Sequence, residues 1–253
     1  MRVDMPTKFV QANGLQIAYE EFGNAADPVI LLVAGLYNQL VRWPVEFCEL
    51  LVAKGFRVIR FDNRDIGLSE KMDGARAPGY FRLLLAASFG VPVKTAYTLD
   101  DMAEDTIGVL DALDIKTAHL VGISMGGMIS QIAAARYPDR ILSLTSMMST
   151  SGVRGKGVAS LAVSMQMVRP VTKNRSALDN SVAIWRMIGS PGYPMSDEKA
   201  REILVAENQR SSNPAGYMCQ IAAIKTASNR VGLLNSIKMP VLIIHGKQDR
   251  LVP

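Results

Sequence analysis

A serine at position 124 stands in the segment Gly122–Gly127 (GISMGG), where its hydroxyl could act as a nucleophile. The apolar residues Ala118–Ile123 before it predict a strand, and Met125–Tyr137 after it predicts a helix that stops at Pro138. A strand, a sharp turn and a helix form the context in which a G-x-S-x-G serine projects above a sheet. The pattern therefore predicts acyl transfer through Ser124, and an ordinary glycine-rich turn is the alternative interpretation.

Acyl transfer also requires two N–H donors that face the developing oxyanion. One predicted donor is the backbone amide of Met125, directly after the nucleophile. The other is the amide of Leu36, in the loop that follows the predicted strand Val29–Ala34 and contains Gly35. A plain glycine turn at the end of the strand is the alternative for this loop.

An acid in the loop after a late strand would complete the same constellation. Asp249 lies in such a loop, because it follows the predicted strand Pro240–His245. We expect Asp249 to hold an imidazole in the correct tautomer and to stabilise its cation. The alternative is an Asx turn that closes the strand.

The base of this constellation would be a histidine, and the chain contains two. His119 opens the strand that leads to Ser124, at the end away from the elbow, so we expect a structural or surface role. His245 lies four residues before Asp249, inside the final predicted strand. From there it is badly placed to reach the serine and the acid through opposite ring nitrogens. The sequence thus predicts a nucleophile and an acid without their usual base.

The order of the predicted elements indicates an α/β fold with a mostly parallel sheet. Two strand-like segments flank Asn13-Gly14 and predict an N-terminal antiparallel hairpin. Short apolar strands then alternate with helices, which is typical of parallel sheets covered on both faces. We expect a core over 1–148, a helical lid insertion over 149–230, and the remainder of the core over 231–253. Within the lid, Trp185 and Tyr193 are candidates for the substrate pocket together with Gly35, and lid core is the alternative for both.

The composition excludes several classes of protein. The chain has 253 residues, of which 49% are hydrophobic and 20% charged, as in ordinary globular domains. Its net charge of +5 comes without a dense basic stripe, so no nucleic-acid partner is expected. It has neither an apolar segment behind a basic start nor a long apolar run, and its two cysteines lie far apart. We expect a cytoplasmic protein with free thiols, no membrane span, no metal and no cofactor.

Three stretches carry a resemblance to a known family: Arg60–Ser69 (RFDNRDIGLS), Gly122–Gly127 with Met128 and Ser130, and Gly189–Pro194 (GSPGYP). With them the chain resembles the α/β-hydrolase superfamily over its whole length, and most of all the branch of bacterial esterases that includes aclacinomycin methylesterase. The first stretch is a variant of the family's D-x-R-G-x-G-x-S turn, with Asp65 where most members have glycine. That substitution is shared by the branch. The resemblance implies that Asp62 and Arg64 are the carboxylate and guanidinium partners that lock the loops under the site.

Members of this family carry one more strand and one more helix after the Asp loop, with the catalytic histidine between them. Because this chain ends at Pro253, we expect a truncated α/β-hydrolase fold without that strand, helix and base. The apolar edge of Val241–His245 would then be open, and we expect it to pair with a second copy across a two-fold axis.

The favoured hypothesis is a carboxylic-ester hydrolase that acts through a Ser124 acyl-enzyme on a small-molecule ester with a small or medium apolar acyl group. A catalytically dead hydrolase scaffold that binds a ligand or a partner is an alternative, and the absent histidine favours it. A cofactor-free perhydrolase shares the same triad and is a further alternative.

Overall fold

A computed structural model describes residues 6–72, 74, 77–79, 82, 93–153, 155–167, 172 and 176–253. Seven strands form one sheet in the order β1-β2-β4-β3-β5-β6-β7. The strands are β1 Lys8–Ala12, β2 Leu15–Phe22, β3 Val29–Val33, β4 Arg57–Phe61, β5 Ala118–Ile123, β6 Ile141–Met147 and β7 Val241–Ile244. Strand β2 runs antiparallel to β1 and β4, and every other pair is parallel. The predicted mostly parallel sheet with an N-terminal hairpin is therefore confirmed.

Helices connect the strands as the sequence pattern predicts. They are α1 Val45–Val52, α2 Leu99–Ala112, α3 Met125–Arg136, α4 Leu161–Met167, α5 Ala177–Ile188, α6 Asp197–Arg210, α7 Pro214–Thr226 and α8 Val231–Leu234. A capping box begins α2, because the Asp101 amide donates to Thr98 Oγ1 at 3.2 Å and the Thr98 amide donates to the Asp101 carboxylate at 2.7 Å. This reciprocal pair satisfies amides that the first turn leaves without a helical partner.

The central strand β3 is buried along its whole length, because helices cover both of its faces. Leu31 and Val33 pack in the main core, which also includes apolar side chains of α2 and α3. Ile30 and Leu32 alternate to the other face and pack with Trp43 in a smaller core beside α1. The carboxyl end of β3 and the start of α3 are therefore fixed next to one another.

Strand β7 forms one edge of the sheet and, among the described strands, pairs with β6 alone. Its four side chains, all apolar, are between 47% and 73% exposed. Between β6 and β7 the described residues form helices α4 to α8 and no strand, in keeping with the helical character expected there. The exact domain boundaries stay predictions.

Two further expectations concern the membrane and the thiols. In the described part of the chain, no helix is both long and apolar enough to cross a membrane. Cys48 and Cys219 are free and buried. Burial raises the pKa of Cys48 to about 11.

Candidate active site

Ser124 is the residue at which β5 turns into α3. Its backbone has φ 55° and ψ −118°, in a region that L-residues with a side chain rarely occupy. Hydrogen bonds hold it there: the Ser124 amide donates to Met147 O at 2.8 Å, and the Ser124 carbonyl accepts from Ser149 Oγ at 2.8 Å and from Met128 N at 3.2 Å. Backbone strain that the surroundings fix in this way is a recurrent property of functional sites.

Glycines on both sides of Ser124 permit this turn. A Cβ on Gly122 would lie 2.5 Å from Ser130 Oγ, and one on Gly126 would lie 2.6 Å from the carbonyl oxygen of Ala34 and overlap that of Val33. Real Cβ atoms do not approach other atoms so closely, so only glycine lets α3 pack against β5 and the end of β3. The interpretation of the segment as a strand–turn–helix elbow is thus confirmed in its geometry.

The loop after β3 passes directly beside Ser124. A Cβ on Gly35 would lie 3.4 Å from Ser124 Cβ and 3.2 Å from Ile123 O. Within the described part of the chain, the amides of Leu36 and Met125 donate no hydrogen bond to another residue. The structure thus brings Ser124, Gly35 and the two predicted donor residues together.

Asp62 lies beneath this loop and is fully buried. It accepts from Leu40 N at 2.7 Å, from Leu68 N at 2.8 Å and from Arg210 at 2.7 Å. Burial of the carboxylate raises its pKa, and the Arg210 guanidinium opposes that effect. Asp62 therefore locks the loops under the site, as expected, but its guanidinium partner comes from α6.

Arg64 pairs with a different carboxylate, that of Asp105 on α2. Their two hydrogen bonds, from Nε and Nη2, measure 2.5 and 2.6 Å, and both side chains are buried. Arg64 and Asp62 are thus not partners of each other, and the expectation is corrected on this point. Although they are two residues apart, Arg64 contacts α2 and Asp62 contacts α6.

Asp249 lies in the loop after β7, where the sequence places it. Its Oδ1 accepts from the amides of Leu251 and Val252 at 2.8 and 2.9 Å, which is the Asx-type turn that the sequence left as the alternative. Its Oδ2 remains for another partner and lies 3.3 Å from Nε2 of His245. Strand β6 lies between β7 and β5, so Asp249 and Ser124 follow two strands that are about two strand spacings apart, roughly 10 Å.

The two histidines lie in different surroundings. His119 is partly buried and its Nδ1 lies 2.7 Å from Ser143 Oγ, while its ring meets Phe56 edge to face at 5.8 Å. His245 directs Nε2 both to Asp249 and to Val252 O, 2.6 Å away. The contact between His245 and Asp249 was not expected from the sequence, which indicated that His245 is badly placed to reach the acid.

An apolar cavity of about 280 Å³ opens beside the elbow. Ala34, Ile123 and Met147 line it at the ends of β3, β5 and β6, and Trp43, Phe47 and Arg42 line it on the α1 side. Ser124 follows Ile123 directly and is not itself among the lining residues. Trp185 reaches this region through Arg42, whose guanidinium lies 3.9 Å from the centre of the indole ring. Tyr193 is 89% exposed and lines no described cavity. The structure thus brings Trp185 to the edge of the cavity and leaves Tyr193 on the surface.

Helix α6 is tied to the loop beside the cavity by polar contacts that the sequence did not reveal. Arg42 pairs with Glu207 through two nitrogens, and Gln39 Nε2 donates to the carbonyl oxygens of Glu207 and Ser211 at 2.7 and 2.9 Å. Arg210 donates to Gln39 Oε1 at 2.8 Å. More than 160 residues separate the partners of each pair in the sequence, so no local pattern could have predicted these contacts.

Comparison with known proteins agrees with this geometry. A family model described as the alpha/beta hydrolase fold matches residues 28–253. The chain belongs to the α/β-hydrolase fold family. Among curated proteins of this family, it is 29% identical to the rhodomycin D methylesterase of Streptomyces peucetius and 32% identical to that of Streptomyces sp. strain C5. Each match covers 98% of this chain and 84% of the relative.

Solved α/β hydrolases show the same fold. The enol-lactonase of Burkholderia xenovorans LB400 is 25% identical with a TM-score of 0.65, and the match covers 95% of this chain and 81% of that one. The 2-hydroxy-6-oxo-6-phenylhexa-2,4-dienoate hydrolase of Rhodococcus sp. strain RHA1 is 18% identical with a TM-score of 0.69, covering 99% and 84%. The resemblance to the aclacinomycin methylesterase branch is confirmed, and the relatives support an enzyme of esterase type.

Proposed function

We propose that this chain hydrolyses a carboxylic ester through an acyl-enzyme formed on Ser124. The observation that carries the proposal is the backbone of Ser124, held at φ 55° between β5 and the first turn of α3. A strained turn of this kind has a cost in stability, and it places a hydroxyl at the positive end of a helix dipole. Both properties suit a nucleophile whose reaction creates an oxyanion.

In the proposed reaction Ser124 Oγ attacks the ester carbonyl and gives up its proton to a base. The amides of Met125 and Leu36 stabilise the oxyanion, because they belong to residues beside Ser124 and donate to no other residue in the described part of the chain. The protonated base returns its proton to the leaving oxygen as the tetrahedral intermediate collapses, which releases the alcohol. Water then hydrolyses the acyl-enzyme by the same steps. Asp249 is the proposed acid, which orients the base and stabilises its cation through Oδ2.

We assign the base role to neither histidine of the 253 residues. His119 lies at the start of β5, where it is hydrogen-bonded to Ser143, whereas the elbow lies at the other end of that strand. Nε2 of His245 is already engaged by Val252 O and Asp249. Because neither histidine is assigned as the base, we expect imidazole added from solution to take that role in an experiment.

The proposed substrate is a small-molecule ester with a small or medium apolar group. The 280 Å³ cavity next to the end of β5 supports this choice, since its lining is mostly apolar and its volume suits a small ligand. The two rhodomycin D methylesterases named above support a methyl ester as the reacting group. Trp185 is the proposed lid contribution to this pocket, because it packs on Arg42 at the cavity's edge.

The test is hydrolysis of p-nitrophenyl acetate and butyrate by the 253-residue chain, with and without imidazole. Ser124→Ala is the control, measured in the same imidazole concentrations so that hydrolysis by imidazole itself is subtracted. We expect turnover that depends on Ser124 and increases with imidazole. Equal rates for the two proteins under all conditions would overturn the proposal and favour a binding scaffold.

We also propose that β7 is a pairing edge for a second copy of this chain. Val241–Ile244 bonds to β6 on one side, and its side chains are largely exposed on both faces. An exposed apolar edge strand is a template for another strand, and two such edges can pair about a two-fold axis.

A further inference from the structure

Gln220 on helix α7 is fully buried and contacts two loops at once. Its Oε1 accepts from the backbone amide of Tyr37 at 2.9 Å, and its Nε2 donates to the carbonyl oxygen of Arg64 at 3.3 Å. Tyr37 follows β3 and Arg64 follows β4. One side chain from the segment between β6 and β7 thus ties together the loops at the carboxyl ends of two neighbouring strands.

Tyr37 needs such support, because it has a positive φ of 59°. This left-handed conformation is unfavourable for a residue with a side chain, so an unsupported loop would leave it. The Tyr37 ring gives a second contact to α7, with its centre 5.2 Å from that of Tyr217 in an edge-to-face arrangement. Helix α7 therefore holds both the amide and the side chain of Tyr37.

The residue before Tyr37 is Leu36, the second proposed oxyanion donor. On its other side the loop is also fixed, because Asn63 Nδ2 donates to Ala34 O at 3.0 Å. The loop is closed by a turn in which the Asn38 amide donates to Gly35 O at 3.2 Å. Leu36 thus lies between two fixed points, one provided by Asn63 in the loop after β4 and the other by Gln220. The direction of its N–H depends on both.

We infer that Gln220 is a positioning residue, which holds the Leu36 amide toward the oxyanion and couples α7 to the reaction. The inference rests on the proposed function. Without the acceptor, the Leu36–Tyr37 peptide can rotate and the preceding Leu36 amide can move out of place. A correctly placed oxyanion donor stabilises the transition state more than the bound substrate, so its misplacement raises mainly the barrier of the chemical step. Removal of Gln220 should therefore reduce kcat while KM changes little.

The test compares Gln220→Met, which has a similar size and no strong acceptor, with Gln220→Glu, which keeps an acceptor for the Tyr37 amide. Thr226→Val is the matched control, since Thr226 lies on the same helix and, among the described residues, its hydroxyl donates to Ala222 O within α7. Ester hydrolysis with imidazole, melting temperature, and hydrogen–deuterium exchange of the peptide that contains Tyr37 are measured for all proteins. The exchange readout does not depend on activity.

For Gln220→Met we expect about a tenfold fall in kcat, KM within about twofold, and at least tenfold faster exchange at Tyr37. Gln220→Glu should keep the slow exchange of the wild type, and Thr226→Val should match the wild type in kcat and exchange. If hydrogen–deuterium exchange at Tyr37 is unchanged in Gln220→Met, Gln220 does not hold the loop. If exchange is faster but kcat is unchanged, Gln220 holds the loop and does not position the oxyanion donor. If the wild type has no Ser124-dependent turnover, the proposed function and the role in the reaction both fail, while the exchange still decides whether Gln220 holds the loop.

Discussion

Gly126 touches the end of the neighbouring strand through its backbone alone: a Cβ there would overlap the carbonyl oxygen of Val33. Helix α3 therefore begins closer to β3 than any residue with a side chain at position 126 would permit. Ser124, two residues earlier, is held beside the loop that carries Leu36 by the same packing. The G-x-S-x-G pattern is thus explained by the contact between α3 and β3 as much as by the turn itself.

Gly126→Ala should destabilise the fold by at least about 2 kcal/mol, because the overlap is with backbone atoms that cannot move aside without shifting α3 or β3. Urea unfolding measures this loss. Gly232→Ala is the control, since a Cβ at Gly232 in α8 meets no atom within 4 Å. That variant should keep or slightly raise the free energy of unfolding. Equal effects of the two substitutions would show that α3 does not approach β3 so closely.

Two substitutions at the nucleophile should separate chemistry from strain. Ser124→Ala and Ser124→Gly both remove the hydroxyl, but only glycine adopts φ 55° at low cost. We expect the free energy of unfolding of Ser124→Gly to be about 1 kcal/mol higher than that of Ser124→Ala, although glycine makes the unfolded chain more flexible. Thermal and urea denaturation of both proteins give the difference. An alanine variant as stable as the glycine variant would mean that the elbow is not strained.

The buried pair of Arg64 and Asp105 should matter far more than a surface pair. Arg64→Leu leaves the Asp105 carboxylate in the core with the Asn13 amide as its remaining side-chain donor in the described structure. We expect a loss of about 3–5 kcal/mol, and a double variant Arg64→Leu/Asp105→Leu that loses much less than the sum of the single variants. Lys199→Ala, which breaks an exposed pair with Glu202, should cost under about 1 kcal/mol. If the double variant lost as much stability as the two single variants together, Arg64 and Asp105 would not stabilise the fold as a pair.

The Cys48 thiol should resist reagents while the chain is folded. Its pKa is raised by burial from an ordinary value of 9.0 to about 11. The thiolate is the reactive form, and at pH 8 only about one molecule in a thousand carries it. We expect Ellman's reagent to label Cys48 in the native protein at least about a hundredfold more slowly than in 6 M guanidinium, with peptide mapping as the readout. Similar rates in both states would show that the site opens.

The β7 edge should determine the oligomeric state. Size-exclusion chromatography with light scattering should give a dimer for the wild type at high concentration, and Ile243→Lys should shift it to monomer by placing a charge on the exposed face. Leu50→Lys is the control, because Leu50 is 68% exposed and lies on α1. A clean wild-type monomer at high concentration would rule the proposed pairing out.

The strands were predictable because their signal is local. Runs such as Val29–Val33 are continuously apolar, and the turns around them contain glycine or asparagine. The position of Ser124 followed from the same local signals, since a strand and a helix meet at it. These features depend on neighbours within about ten residues, which a sequence displays directly.

The partners of Asp62, Arg64 and Gln220 were not predictable in the same way. Arg210, Asp105 and Tyr37 are between 41 and 183 positions away from them. Such pairs depend on how α2, α6 and α7 pack on the sheet, and a single sequence has no periodic pattern that specifies it. The exposure of Tyr193 was missed for the same reason, because aromatic type alone does not say whether a side chain in the turn between α5 and α6 faces a pocket or the solvent.

The most direct test of the central claim is the intact mass of the 253-residue chain after treatment with a fluorophosphonate in imidazole buffer. We expect one added phosphonyl group, mapped by peptide analysis to Ser124, and none on Ser124→Ala. A wild-type protein that gains no mass, or that carries the label on another residue as often as on Ser124, would contradict the assignment of Ser124 as the nucleophile.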